Sequence, residues 1–331
     1  TSSGSPMSVD ATFRPSLAFL NQINQYGSIT EARNYVHVLG AKRSMTAAYG
    51  APSSLARLLK DSGVMTYCSA TSTGACLTTS DEDALMHSKY ALFEQTRDST
   101  GTLWDNVIWV TSANLNGSSG GKKSNTSIAI FGDASGFQKL RDDVWNAEVT
   151  QKFTAGYKSA AANGITGTNS DFSFYPSPRT VDFEADALRK VADISGKTNC
   201  KAYLVHSLFN AKREALLTQL NRLESQGCNV KIMLGENAIS DVVDAYFSMS
   251  TSARELINRV EFGNVHDKSI SVNYTVAGVS HGVTFGGSAN ANGTSLTHDE
   301  LAFKAEDLTV ARAVELQNER LYQLIRGGKA N

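Results

Sequence analysis

Long apolar runs are missing from this sequence: nothing in it approaches the roughly 18 consecutive apolar residues of a membrane-spanning helix. An excess of either charge is missing as well, because 31 Lys and Arg face 32 Asp and Glu, for a formal net charge of −1. A neutral total gives no bulk attraction for polyanions. Nucleic acid is therefore the disfavoured partner, although a local basic channel fits inside such a total. Metal-ligand spacing is absent too, with no Cys-x-x-Cys and no His-x-x-x-His, so neither a zinc site nor another cofactor is expected. No secretory leader is visible, and the opening Thr1-Ser2-Ser3-Gly4-Ser5 reads as a processed or trimmed end.

What is present is an ordinary globular composition, 41% hydrophobic and 19% charged over 331 residues. That is enough for two domains or two closely packed halves. Cys68 and Cys76 bracket a small polar loop, while Cys200 and Cys228 each stand just before an expected strand, where neighbouring parallel strands would bring them together. Local pairing is the simplest of the possible connectivities. Two disulfides belong to an oxidising compartment, and the expectation is a secreted protein.

The most informative stretch, Asn264 to Lys304, is written twice. His266-Asp267-Lys268 is followed by Gly287-Ser288-Ala289-Asn290, and the earlier copy is His87-Ser88-Lys89 followed by Thr111-Ser112-Ala113-Asn114. The His-to-Ser separation is 25 positions in the first copy and 22 in the second. Both Ser-Ala-Asn triplets follow an apolar, strand-like run and lead into an Asn-Gly turn signal, Asn116-Gly117 and Asn292-Gly293. A lone His-x-Lys means little; two copies with matching Ser-x-Asn partners mark a duplicated half-site.

The rest of the chain repeats in the same order. In the first half, strands are expected at Met7–Phe13, Tyr35–Gly40, Val64–Cys68, around His87 and Lys89, at Val107–Val110 and at Thr126–Phe131. Helices are expected around Leu17–Ile23, Leu55–Leu59 and Gly136–Phe153. The second half reads as a helix at Ala185–Ile194, a strand at Ala202–Phe209, and a helix carrying Leu216, Leu217, Leu220 and Leu223. It continues with a strand at Val230–Gly235, helix within Ile239–Ile257, strands at Val260–Phe262 and Glu300–Phe303, and a last helix at Val310–Ile325. Val230–Gly235 is matched with Val36–Gly40, which leaves the Ala185–Ile194 helix without a counterpart. The expected fold class is α/β: two similar α-β-α sandwich lobes related by a pseudo-twofold axis. The N-terminal lobe takes residues 1–154, a Gly-, Ser- and Ala-rich connector residues 155–179, and the C-terminal lobe residues 180–331.

Phosphodiester chemistry fits these residue types. The diester is an anion whose phosphorus resists attack, so cleavage needs neutralised charge, a nucleophile and an acid for the leaving oxygen. Lys89 and Lys268 offer compact ammonium donors, and Asn114 and Asn290 offer amide hydrogens to non-bridging oxygens. One of His87 and His266 can attack phosphorus while the other, protonated, gives its proton to the leaving group. Each ring needs an acceptor on its second nitrogen. Glu300 or Asp299 can serve in the second half, whereas the matching first-half positions, Asn125, Thr126 and Ser127, carry no charge. That asymmetry predicts unequal roles for the two histidines without saying which is which. Ser112 and Ser288 read as supports, not nucleophiles.

In these motifs the chain resembles the phospholipase D superfamily, whose pattern is His-x-Lys, four residues, Asp, then Gly-Ser-x-Asn. The resemblance covers most of the chain and implies a bilobal fold with one active site between the lobes. It also implies metal-free chemistry through a covalent phosphohistidine, ending in hydrolysis or in transfer to an alcohol. Carried over by position, it makes His87 the nucleophile and His266 the general acid. The pattern departs in two respects. Glu94 and Asn273 stand where the motif has Asp, and Thr111 replaces the Gly that Gly287 keeps. The implied substrate is a phospholipid or related phosphodiester, with an acceptor alcohol and transient membrane-surface contact as partners, handled by a monomer. An endonuclease on the same fold and an inactive phosphodiester-binding module are the alternatives.

Other candidates read more simply. His206 falls in an expected core strand, and His37 and His281 carry no motif. His298 lies close to Glu300 in sequence and reads equally as a residue lining the cleft or as a solvent-exposed loop histidine. Lys122 and Lys123 sit in a Gly/Ser loop where they can meet an anionic head group or solvent.

Overall fold

In the computed structural model, which describes residues 37–41, 61, 63–77, 83–98, 100–114 and 123–327, strands and helices build a mixed α/β fold. The elements expected at Met7–Phe13, Leu17–Ile23 and Leu55–Leu59 lie outside the described residues. Thirteen strands are described: β1 (Val38–Ala41), β2 (Met65–Cys68), β3 (Tyr90–Arg97), β4 (Leu103–Thr111), β5 (Ser127–Ile130), β6 (Ile165–Thr166), β7 (Phe172–Ser177), β8 (Thr198–His206), β9 (Asn229–Gly235), β10 (Glu261–Gly263), β11 (Lys268–Val276), β12 (Val279–Gly287) and β13 (Glu300–Ala305).

Eight of them form one sheet in the order β10-β9-β8-β11-β12-β13-β7-β6. Its parallel part is β8-β9-β10, and every other pairing is antiparallel. Among the N-terminal strands, β1 and β2 pair in parallel and β3-β4-β5 form an antiparallel meander. The second half has the same two features in β8-β9 and β11-β12-β13. This places β1 opposite β8, one strand earlier than the sequence match of Val36–Gly40 with Val230–Gly235.

Side-chain alternation explains the layers. On β11, Ile270 and Val272 are fully buried in the core formed with the helices Phe183–Asp193, Glu214–Ser225 and Thr251–Ile257. Leu216, Leu217, Leu220 and Leu223 give the Glu214–Ser225 helix its apolar stripe. The helix stops before Gly227, which adopts φ +91°. The opposite face of β11 carries Ser269, Ser271 and Asn273 under the long helix Leu308–Arg326, to which Asn273 Nδ2 donates at Ala311 O (3.1 Å) and Glu315 Oε2 (2.7 Å). On β13, Leu301, Phe303 and Ala305 join the core of the N-terminal half, with Ile108, Val110, Leu140 and Val144, whereas Ala302 faces the second core. A single strand therefore has one side in each core.

Three expectations change. Residues 155–179, read as a connector, carry the helix Ala155–Asn163 and strands β6 and β7, and β7 adds to the large sheet beside β13. Pro176 is tolerated there because β6 pairs only with Ser173 and Phe174, leaving the outer side of β7 open at the proline. Second, His87 and Lys89 stand just before β3, not within it. Third, the Ile239–Ile257 stretch divides into the helices Ile239–Ala245 and Thr251–Ile257. Both expected disulfides, Cys68–Cys76 and Cys200–Cys228, are present, the second joining the starts of β8 and β9. Among the described residues no helix is long and apolar enough to cross a membrane.

Candidate active site

The two motif copies meet through exchanged backbone bonds. Met86 bridges Asp299, with His87 N donating to Asp299 O at 2.9 Å, and Val265 bridges Ser124, with His266 N donating to Ser124 O at 3.2 Å. Each histidine is thereby docked against the strand that follows the other copy's Ser-Ala-Asn.

The ring contacts are crossed in the same sense. His87 Nδ1 lies 2.8 Å from Glu300 Oε1 and 3.0 Å from Oε2, while His266 Nδ1 lies 3.0 Å from Asn125 Oδ1. A carboxylate only accepts, and the Asn125 oxygen is the amide's acceptor end. Both rings thus carry hydrogen on Nδ1 and turn Nε2 to the cleft, a tautomer set by the hydrogen-bond network. Asn114 Nδ2 completes the exchange at 3.4 Å from His266 Nε2. The expectation had paired each ring with an acceptor from its own half; in fact the charged acceptor of the second half holds the ring of the first. Asp299, the other candidate, holds no ring. Its carboxylate accepts from Cys76 N and from Leu77 N (3.2 Å), tying the disulfide-bracketed loop to the strand behind His87.

The lysines are held alike: Lys89 Nζ donates to His87 O at 2.6 Å and Lys268 Nζ to His266 O at 2.9 Å. A single bond leaves each ammonium two hydrogens for a ligand. Ser112 Oγ accepts from Thr126 N at 3.0 Å and donates to Asn125 Oδ1 at 3.2 Å. Ser288 Oγ accepts from Leu301 N at 3.0 Å and also supports Glu300. Both serine hydroxyls are thus held by hydrogen bonds at the start of the strand that follows their own Ser-Ala-Asn. Glu94 does not join them: it lies on the surface, 3.3 Å from Arg141. Asn273, at the matching position of the second copy, anchors the Leu308–Arg326 helix instead.

Burial and like charge set the protonation of these groups. Burial, helped by Lys268, brings Lys89 down to about 7 against the pull of Glu300. Burial and Lys123 bring Lys268 down to about 8 against Glu300 and Asp267. His266 falls to about 3 through burial and the charges of Lys268, Lys89, Lys123 and His87. His87 is pulled below its ordinary value by burial and the two lysines, against the opposing effect of Glu300. Glu300 stays ionised, down at about 2, because the charge and hydrogen bonds of His87, the charge of Lys89 and a hydrogen bond from Ser288 outweigh burial. The His87–Glu300 bond and the Asn114–His266 contact bring side chains of both motif copies together.

Several supporting residues carried no signal in the sequence. Asp267, the middle residue of the second motif, is fully buried and accepts from Thr126 Oγ1 at 2.8 Å and Lys268 N at 2.7 Å. Arg213 is also fully buried. It ion-pairs with Asp182 (2.7 Å) and Glu184, and donates from Nη1 to Asn290 O at 3.2 Å. Asn290 N in turn donates to Ser295 Oγ at 2.8 Å, and Asn292 caps the following 3-10 turn, Gly293–Leu296. Asn292-Gly293 begins this turn, as its turn signal suggested, and the buried Ser295 in it holds the Asn290 backbone. His206 is buried in β8 opposite Lys268, but neither ring nitrogen has a hydrogen-bond partner among the described residues; His37 is exposed just before β1, and His281 pairs with Tyr274 across the β11–β12 hairpin. Among the described residues no three His, Cys, Asp or Glu side chains are grouped to hold a metal ion.

No protein-family model and no curated protein matches the chain. Among solved structures it is similar to a polyphosphate kinase from Porphyromonas gingivalis, at 10% identity and a TM-score of 0.41, covering 80% of this chain and 37% of that one. The chain thus spans little more than a third of that enzyme's length. It is also similar to Nuc from Salmonella typhimurium, a phospholipase D family member (15% identity, TM-score 0.31, covering 46% of this chain and 92% of that one). NucT from Helicobacter pylori is similar at 13% identity and a TM-score of 0.26, over 46% of this chain and 95% of that one.

Proposed function

We propose that this chain is a phosphodiesterase of the phospholipase D type, with His87 as nucleophile and His266 as general acid. The observation that carries the assignment is the crossed pair of acceptors: an ionised carboxylate behind His87 and a neutral amide behind His266. Glu300 stabilises the positive charge that His87 acquires when its Nε2 bonds to phosphorus. In that step the P–O bond to the leaving alcohol breaks, and the alkoxide takes a proton from His266 Nε2. Water or an acceptor alcohol then attacks phosphorus, returns a proton to His266 and releases His87. Lys89, Lys268, Asn114 and Asn290 face the non-bridging oxygens. Burial, with the charges of Lys268 and Lys89 beside it, keeps His266 neutral, and the anionic substrate offsets the charge part of that effect. The acid is charged by the substrate it serves.

The substrate we infer is a phospholipid or related diester, and the two disulfides support export to an oxidising compartment. The deciding experiment incubates the protein, with chelator present, against choline, ethanolamine, glycerol and inositol lipids and against plasmid DNA. Cleavage of a lipid, with an acid-labile phosphohistidine at His87 in the quenched reaction, is expected. Nicking of DNA alone would move the assignment to an endonuclease, and binding without cleavage of any diester would leave a recognition module.

A further inference from the structure

We propose that Lys123 forms a leaving-group subsite beside His266, selecting substrates whose leaving alcohol carries its own carboxylate or phosphate. The inference rests on His266 as the acid for the leaving oxygen, and it narrows the substrate class of that site.

Position is the first argument. Lys123 precedes Ser124, the residue that bridges Val265 and accepts from His266 N. Its carbonyl accepts from Asn125 Nδ2 at 3.0 Å, and Asn125 Oδ1 holds His266 Nδ1 at 3.0 Å. One hydrogen-bonded side chain therefore separates the Lys123 backbone from the imidazole. By the crossed bridges the corresponding position on the His87 side is His298, which precedes Asp299. A lysine stands at this position on one side of the cleft only.

Charge is the second argument. Lys123 is among the principal charges acting on His266 and Lys268, and not among those acting on His87. It is half-buried and has no carboxylate partner among the described residues. A bound diester contributes one negative charge, which Lys89 and Lys268 already face. Lys123 then remains a cation without a carboxylate partner, acting on an imidazole that must itself become cationic, an arrangement that disfavours the protonated acid. A carboxylate or second phosphate on the leaving alcohol pairs with Lys123 and removes that opposition, so recognition and proton transfer favour the same substrate.

Two ligand pairs test this by calorimetry without requiring turnover: phosphoserine against phosphoethanolamine, which differ by a carboxylate, and thymidine 3′,5′-bisphosphate against thymidine 5′-monophosphate, which differ by a phosphate. The wild type is expected to bind the more anionic member of at least one pair about three- to tenfold tighter, as a partly exposed ion pair allows. Lys123→Ala should bring that ratio to about one, and Lys123→Arg should keep it. The pair that shows the preference distinguishes a carboxylated head group from a polynucleotide. A wild-type ratio near one in both pairs, an unchanged ratio in Lys123→Ala, or no binding of any of the four ligands overturns the subsite. Failure of the phosphodiesterase reading is separable: no diester would be cleaved while the Lys123-dependent ratio persists.

Discussion

Glu300 and His87 are 213 residues apart in the chain, yet the carboxylate accepts from the imidazole Nδ1 at 2.8 Å, and Glu300 is completely buried. A buried anion persists only with compensating charge and donors, and His87, Lys89 and Ser288 provide them. The pair joins one half of the chain to the other at the reacting atom.

Removing the charge but keeping the shape tests this first. Glu300→Gln should lower kcat on the order of 10²–10⁴-fold, the range spanned by positioned acid–base groups, with a smaller effect on KM. Asn125→Asp should not mimic it, since a second carboxylate behind His266 would strengthen proton retention there. Steady-state kinetics on whichever diester is cleaved measures both. Equal, minor effects of the two substitutions would remove the basis for assigning His87 as nucleophile.

His266→Ala separates the two chemical steps. With p-nitrophenol as leaving group no acid is needed for departure, so His87 can still be phosphorylated. Release is then slow, because nothing activates the water. A burst of p-nitrophenol near one equivalent per protein, followed by a slow phase, is expected in stopped-flow absorbance, and His87→Ala should show neither. A burst in His87→Ala with none in His266→Ala would exchange the two roles.

Anion binding should depend on pH with a definite sign. Lys89, down at about 7, and Lys268, down at about 8, are both charged below pH 7 and both largely neutral well above pH 8. The affinity for inorganic phosphate should therefore fall as pH rises through this window. A bound anion stabilises the protonated lysines, so binding at pH 8 should take up protons. Calorimetry in two buffers of different ionisation enthalpy reads that uptake directly. Proton release, or affinity constant from pH 6 to 9, would contradict the charge state described for the cleft.

Much of the proposed site was legible because the chemistry requires residue types that rarely recur together by chance: His, Lys and Asn at repeated spacing singled out the six side chains on which the proposal rests. Crossing of the halves was not legible, because nothing local distinguishes an acceptor for the ring of its own copy from an acceptor for the other. The β11–β12 hairpin also escaped notice. Its turn is Ala277-Gly278, with φ of +50° and +82°, and alanine gives no signal for the left-handed conformation that such turns need. Glu94 looked like a motif carboxylate by position alone, and only its exposure shows otherwise. Strand β7 was hidden by Pro176, a residue that argues against a sheet until the short reach of β6 is known.

Arg213 lay beyond sequence reasoning altogether, since at the start of an amphipathic helix it resembles any solvated cation. Its burial gives it two effects that a pair of substitutions can separate. Arg213→Met leaves Asp182 and Glu184 without their cation, and loss of one partner from a buried ion pair costs about 3–5 kcal/mol. A lower denaturant midpoint is therefore expected. Combining it with Asp182→Asn and Glu184→Gln removes the stranded charges and should recover much of that stability, while the donor to Asn290 O remains missing. Asn290 would then be less well aimed, so kcat should fall in the stable triple variant. In an Asn290→Ala background the same three changes should add little further loss, because residues acting through one group are not additive. Full kcat in the triple variant, or an equal additional loss in the Asn290→Ala background, would show that Arg213 supports the fold without aiming Asn290.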